Sequence, residues 1–291
     1  SSARGAGLAL SHTASLAGTD RVADALLDRL GIARVRSLDS LIETLKLLHV
    51  HGPLSGSRIC SMSCSGGEAM LMADAAESRD VSFPELSPDQ HQQVRETLTD
   101  LVTVSNPLDY HTFNWNDEEK LYQTYRTMLS CGFDLSVLVL DFPRRDNCQW
   151  DTWHPAVSAI ERAAQDTGQQ TAILASLPEN LPEDTARDFI DRGIAPLCGI
   201  EQAMDAVEAA ARIGHLWRQA SPLMLPGVTT KIRQGPFIVD EWEGKAWLSE
   251  LGLVVPRGRL VRSVDESVEA AGEIGFPVCV KACDASLRHK S

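Results

Sequence analysis

Apolar and polar positions follow two different rhythms along this chain, and the change between them sets its organisation. Leu38, Leu41, Ile42, Leu45 and Leu48 recur at three- and four-residue spacing behind Ser37, which predicts a helix capped by that serine. Before it, Thr19 or Asp20 can cap a helix running to about Leu30, with Gly31 ending it and 32–35 a short extended piece. From residue 58 the pattern becomes short apolar runs separated by helical stretches. Strands are predicted over 58–62, 135–141, 171–175 and 195–197, and helices over 67–78, 117–131, 155–167, 182–192 and 201–219. Another helix opens at Ser87-Pro88, with the proline in the first helical position. The apolar run 101–104 leads into Asn106-Pro107-Leu108-Asp109, read as a turn or strand exit. Strands alternating with helices predict an α/β fold with a parallel sheet covered on both faces. Ligands of such sheets bind beyond the carboxyl ends of the strands, where 63–67, 106–109 and 141–144 fall.

Pro- and Gly-containing stretches at 51–56 and 221–227 read as linkers. Past the second, the chain starts afresh. A helix is predicted over 241–251, an extended exit at 254–256, and a helix behind Ser263 with Glu266 three residues on, the spacing of a capping box. Residues 275–282 read as a turn and a strand ending on a lysine. The organisation expected is therefore 1–50 as the tail of a preceding domain, 55–220 as an α/β domain, 221–236 as a linker, and 237–291 as the start of a further domain. The chain opens and closes within motifs, so a longer polypeptide is expected.

Composition narrows the chemistry. A formal net charge of −13 argues against broad electrostatic capture of nucleic acid or an anionic membrane, so a phosphate ligand must be held locally by loops and helix ends. No apolar run reaches membrane-spanning length. Seven cysteines, an odd number without a CxxC pair, read as reduced thiols of a cytoplasmic protein. Cys279, Cys283 and His289 have no matching second half, and no metal site is assigned.

Two stretches form a natural pair. Ser11-His12-Thr13-Ala14-Ser15-Leu16-Ala17-Gly18 places a histidine in a small-residue loop ahead of a helix, and Ser63-Cys64-Ser65-Gly66-Gly67 joins a predicted strand to a predicted helix. A helix opening after such a loop directs free backbone N–H groups and the positive end of its dipole outward, a setting for an anion. One reading joins them: a histidine that carries a phosphoryl group, and a glycine loop that receives it.

These segments resemble the ADP-forming (NDP-forming) acyl-CoA synthetases, a succinyl-CoA-synthetase-like family. Residues 11–18 resemble its SHTGSLAG segment, with Ala14 for Gly; 63–67 resemble its NSGG loop, with Cys64 in the Asn-like position; 106–109 resemble its NPVD. Lys245, Leu248, 252–256, 263–266, 275–281 and 289–291 resemble the opening of its ATP-grasp domain, and the motifs occur in the family's order over nearly the whole chain. The resemblance implies a flavodoxin-like domain with helices on both faces of its sheet, followed by the start of an ATP-grasp domain. It implies a ligase that makes acyl-CoA from a small carboxylic acid, ATP and CoA through acyl-phosphate and phosphohistidine intermediates, releasing ADP and phosphate. His12 matches the relay histidine, and an imidazole, nucleophilic near neutrality and forming a labile P–N bond, suits a reversible relay. Ser65, Gly66 and Gly67 match the phosphate-binding loop, Lys281 the lysine that neutralises nucleotide phosphates, and His289 a second histidine that takes the phosphoryl group from ATP. Mg²⁺ bridging ATP phosphates is implied, with its carboxylate ligands beyond Ser291. A homo-oligomer, or contact with further domains of the same protein, is implied as well, and this chain alone is not expected to turn over.

Aromatic residues gather at two predicted strand exits: Tyr110, His111, Phe113 and Trp115 follow Asn106–Asp109, and Trp150 and Trp153 follow 141–143. Asn106, Asp109, Trp115 and Trp150 are accordingly read as a substrate pocket. Aromatic faces attract cations, so the acid is read as bearing an onium or aromatic group. The bland reading is packing under long loops. A competing class is a non-catalytic module of the same family, as in fused protein acetyltransferases, binding an effector without ligase chemistry; retention of His12 favours the enzyme. A plain flavodoxin-like binding domain explains the sheet but not 275–291. His49, His51, His91, His154 and His215 are read as surface or helix residues.

Overall fold

Five short strands whose side chains are almost all buried form the centre of the first unit. A computed structural model of the chain describes residues 20–219 and 239–283, which belong to two units. In the first, the strands are β1 (Ile59–Ser63), β2 (Leu108–Asp109), β3 (Leu135–Val139), β4 (Thr171–Ala175) and β5 (Ile194–Cys198). They lie in the order β2-β1-β3-β4-β5, every pairing parallel. Parallel strands need crossovers, and the helices α1 (Asp20–Arg29), α2 (Leu38–His51), α3 (Gly66–Glu77), α4 (Pro88–Arg95), α5 (Glu118–Leu129), α6 (His154–Thr167), α7 (Glu183–Asp191) and α8 (Ile200–Arg218) surround them.

The two-residue period of the strands divides the core. Leu135, Val137 and Val139 of β3, with Ile59, Ala172, Leu174, Ala195 and Leu197, face a layer made by α2, α3 and the alanine-rich α8. Leu138, Cys60, Met62, Ile173 and Ile194 face the opposite layer, where Tyr125, Met128, Ile160 and Phe189 of α5, α6 and α7 pack. A sheet buried on both faces leaves its strand ends as the accessible edge. The strand order reverses between β1 and β3, the neighbouring central strands whose connections leave in opposite directions.

The structure gives several of the expected segments a definite setting. Residues 106–109 contain the edge strand β2, too short for a periodic signal. Helix α2, in the segment read as the tail of a preceding domain, packs on α8 and β5, and its Leu47 is fully buried. His51 is a helix residue, as expected, and closes α2 half-buried; its Nε2 lies 2.8 Å from the Thr171 carbonyl, and burial lowers its pKa. The complete capping box belongs to Ser87 and Gln90 at α4.

In the second unit, α9 (Glu241–Glu250) is capped by Asp240 and α10 (Val264–Ile274) by Ser263. The Glu266 carboxylate there accepts from the Arg262 N–H at 2.7 Å, one residue before the cap, so the expected box is only half made. Residues 275–283 carry no strand pairing: the described part of this unit holds no strand for them to join. No described helix is long and apolar enough to cross a membrane.

Helix α8 passes so close to the linker after α2 that a Cβ at Gly214 would overlap the Leu54 carbonyl oxygen. Gly214→Ala should gain about 1 kcal/mol of helix propensity, but the clash is with backbone and cannot rotate away. The overpacking cost should win, for a net destabilisation of about 1–3 kcal/mol in urea unfolding.

Candidate functional site

The loop from β1 to α3 is built by backbone hydrogen bonds on one side and glycine on the other. Ser63, the last residue of β1, is buried, and its Oγ donates to the Ser65 carbonyl at 2.9 Å. Its own carbonyl accepts from the Tyr110 N–H at 2.9 Å, which draws the end of β2 alongside. Ser65 is extended (φ −136°, ψ 122°) at the cap position of α3 and makes no side-chain capping bond. The first-turn N–H groups of α3 at Gly66 and Gly67 have no intrahelical acceptor and lie at the positive end of the helix dipole. A Cβ at Gly66 would stand 3.1 Å from the Asp109 carboxylate, so glycine allows that close approach.

Three carboxylates surround this opening. Asp109 Oδ1 accepts from the His111 N–H at 2.9 Å, and its Oδ2 lies 3.6 Å from His111 Nε2. His111 takes φ +58°, the left-handed conformation, and stacks on Phe113 at 5.4 Å. Asp141, past the end of β3, accepts from the Ser176 N–H at 2.8 Å and from its hydroxyl. Glu68, in the first turn of α3, has a buried Oε2 without a hydrogen-bond partner. Burial, followed by the negative charges of Asp141 and Asp109, raises its pKa to about 7. The same surroundings raise Cys64 to about 11, burial first and Glu68 next, so its thiol stays protonated at neutral pH.

The aromatic residues stand beside this ring, Trp150 and Trp153 with their indole N–H groups committed. Trp153 Nε1 donates to the Asp141 carbonyl at 2.8 Å, and Trp115 meets Trp153 edge to face at 5.6 Å. Trp150 Nε1 donates to the Pro143 carbonyl at 2.9 Å, its ring packs on Phe142, and the Arg145 guanidinium lies over it at 4.2 Å. Trp150 thus already holds a cation of its own chain. The Asn106 side-chain amide donates to the Ile59 and Pro84 carbonyls at 3.0 and 3.1 Å, and its oxygen accepts from Ser61 N–H at 3.3 Å. Asn106 therefore braces β1 through groups that a ligand would need.

The first unit thus brings together Ser65, Gly66, Gly67 and Asp109, with the Trp115 and Trp153 pair beside Asp141. Lys281 belongs to the second unit, where its ammonium donates to Glu241 at 2.8 Å and its pKa is raised by that bond. It lines a cavity of about 640 Å³ together with Trp242, Lys245, Arg257, Arg259 and Cys279. His12 and His289 lie outside the described residues. Glu68 was missed by sequence reading, because an acid in the first turn of a helix reads as an ordinary dipole partner; its position directly behind two glycines was the available signal.

Residues 1–48 match the family model of the succinyl-CoA ligase like flavodoxin domain, and 230–291 match that of the ATP-grasp domain. The chain is 25% identical to a trans-feruloyl-CoA synthase of an unknown prokaryotic organism, over 97% of this chain and 40% of that protein. It is 24% identical to the ADP-forming 4-hydroxybutyrate–CoA ligase of Nitrosopumilus maritimus, over 100% of this chain and 42% of that protein. Among solved structures, the dinucleotide-forming acetyl-coenzyme A synthetase 1 of Candidatus Korarchaeum cryptofilum, with phosphate and ADP, superposes with a TM-score of 0.60 at 18% identity. That superposition covers 73% of this chain and 46% of that one, and it shows a shared fold. The chain spans about two-fifths of the length of these curated relatives.

The Glu68 carboxyl makes a stability prediction with a definite sign. Its pKa is raised on folding from 4.5 to about 7, so the unfolded chain ionises first as pH rises and stability falls through that window, levelling off above it. At about 1.4 kcal/mol for each pH unit, and discounted because the side chain is only half-buried, the loss is about 1–2 kcal/mol. Urea unfolding of Glu68→Gln at pH 5 and pH 8 should show a variant that gains on wild type by that amount at the higher pH.

Proposed function

We propose that this chain, which belongs to the ADP-forming acyl-CoA synthetase family, carries the phosphoryl-handling part of an acid–thiol ligase. The observation that carries the reading is the Ser65-Gly66-Gly67 loop opening α3 at the carboxyl end of β1, beside the reversal of strand order. In the synthetic direction, ATP yields its γ-phosphoryl group to a histidine, and His12 is the proposed carrier, with His289 taking the group from ATP. A carboxylate oxygen of the acid attacks phosphorus and the P–N bond breaks, giving an acyl phosphate and neutral imidazole. The thiolate of CoA then attacks the acyl carbon and phosphate leaves. The backbone N–H groups of the loop hold phosphoryl oxygens in these steps, where fixed dipoles need no reorganisation. Lys281 is proposed to neutralise nucleotide phosphates, exchanging Glu241 for them. Mg²⁺, when bound with the nucleotide, would supply charge neutralisation. Among the described residues no three His, Cys, Asp or Glu side chains are grouped as a metal site, and no step is assigned through the ion.

The three carboxylates bear on the substrate. A phosphoryl group next to Asp109, Asp141 and an ionised Glu68 would be repelled, whereas a protonated Glu68 presents one charge fewer and an O–H donor. The same ring with the Trp115–Trp153 pair suits an acid whose far end is cationic or aromatic, and a relative is named for an aromatic acid. The carboxylates also favour a second reading, an effector module that binds a cation-bearing molecule without phosphoryl transfer.

The polypeptide as its gene encodes it, incubated with γ-labelled ATP and Mg²⁺ and mapped under alkaline conditions that preserve phosphohistidine, should carry label on His12. ADP, or acid plus CoA, should discharge it. His12→Ala should lose the label and lower ligase turnover by at least about 10³-fold. Intact ATP binding with no label on His12 would sink the ligase reading and leave the effector module. Trp115→Ala should shift preference among acids, and an unchanged preference would remove the aromatic contact from the substrate site.

A further inference from the structure

Helix α3 carries the sequence of a capping box and does not close it. Ser65 stands at the cap and Glu68 three residues on, the Ser-x-x-Glu spacing. Ser65 makes no side-chain capping bond, and the buried Glu68 Oε2 has no hydrogen-bond partner. The same spacing works elsewhere in this chain. Ser87 and Gln90 make both bonds at α4, and at α10 Ser263 Oγ accepts from the Glu266 N–H at 3.2 Å. An open box leaves the N–H groups of the Ser65-Gly66-Gly67 turn to a ligand, and it leaves the glutamate among acids.

The groups around Glu68 come from every element that meets α3. Asp109 ends β2, and Asp141 lies past the end of β3; both charges oppose its ionisation. Cys64 precedes the cap, and burial holds its thiol protonated. Tyr110 follows β2 and accepts from Tyr125 of α5 at 2.8 Å, and burial holds both phenols protonated as well. His111 lies beside Asp109. Helix α8 also packs on α3, but its Glu201 and Asp205 are taken up by Arg79, past the far end of α3. A buried carboxyl oxygen normally has a donor, and one set among carboxylates is accommodated most readily by a proton of its own. We propose that the Ser65-Gly66-Gly67 loop takes up an oxyanion together with a proton, which passes from solvent to the Glu68 carboxylate. The bound anion then faces two carboxylates instead of three. By linkage, whatever the proton adds to anion affinity, the anion adds to proton affinity. The proposal rests on the phosphate-loop reading above and adds a condition to it: occupancy of the loop weakens as pH rises and Glu68 ionises.

Sulfate is the probe, because its charge is the same at pH 6 and pH 8 whereas that of inorganic phosphate is not. The polypeptide as its gene encodes it, labelled with nitrogen-15 glycine, is titrated with sulfate while the amide signals of Gly66 and Gly67, assigned from alanine variants, are followed by NMR. With Glu68 titrating near 7, and only its protonated form taking the anion, the apparent Kd should be about tenfold weaker at pH 8 than at pH 6. Glu68→Gln, a neutral isostere, should bind with one affinity at both. The imidazoles of His111 and His12 can also change charge in this range, so His111→Gln and His12→Gln are run alongside and should keep the tenfold difference. Infrared difference spectra at pH 8 should show a carboxylate becoming a protonated carboxyl as sulfate binds to the wild type, and no such change in Glu68→Gln. Sulfate that shifts the two glycine amides with equal Kd at both pH values would overturn the coupling and leave the phosphate loop standing. A pH difference that survives Glu68→Gln would do the same. Sulfate that shifts neither amide at either pH would overturn the loop reading and the coupling together.

Discussion

The structure of the first unit depends on parallel strands buried on both faces. Once β1, β3, β4 and β5 have given both sides to helices, no face remains for a ligand, and chemistry is confined to the edge where the strands end. That edge receives three carboxylates, a glycine turn and an aromatic pair because the connections after β1, β2 and β3 all leave there. Asp109 comes to Gly66 through the β2–β1 pairing and not through any property of its own loop: the Ser63–Asp109 register brings the carboxylate to within 3.1 Å of where a Cβ at Gly66 would stand.

Electrostatics then gives the edge its character. A helix N-terminus attracts anions, whereas a ring of acids repels them, and the two sit within one loop. Protonation of Glu68 is the adjustable quantity between them. Its neutral form leaves two carboxylates beside the opening of α3, and its charged form adds a third. The coupling runs both ways: a negative charge brought near Glu68 would raise its pKa further, and a positive charge would lower it.

The sequence announced much of this and concealed some of it for identifiable reasons. Leu-Ser-Val-Leu-Val in β3 is legible because a buried parallel strand needs an almost unbroken apolar run, and Thr171–Ala175 was legible to its ends for the same reason. Two-residue β2 was not, since an edge strand pairs on one side and needs no run. The loop Ser65-Gly66-Gly67 was legible as a strand-to-helix turn. The ring around it was not, because Glu68, Asp109 and Asp141 are far apart in the chain and meet only through sheet order. Trp150 and Asn106 drew attention by residue type, but the structure has already committed Trp150 to Arg145 and Asn106 to β1. Residue identity advertises capacity, and burial and partners decide whether any is left.

The two sides of α2 differ in more than polarity. The hydrogen bonds that Ser40 Oγ donates to Asp205 and that Glu43 accepts from the Cys198 N–H are directional, and a rotation of the helix by a few degrees or a slide of one residue would break them. Contacts of Leu38, Leu41, Ile42 and Leu45 are not directional, and neighbouring apolar surfaces can shift across them with small change in energy. A helix anchored this way takes its angle and register from its polar side alone, so α2 is a rigid part of the sheet whatever its leucine stripe meets.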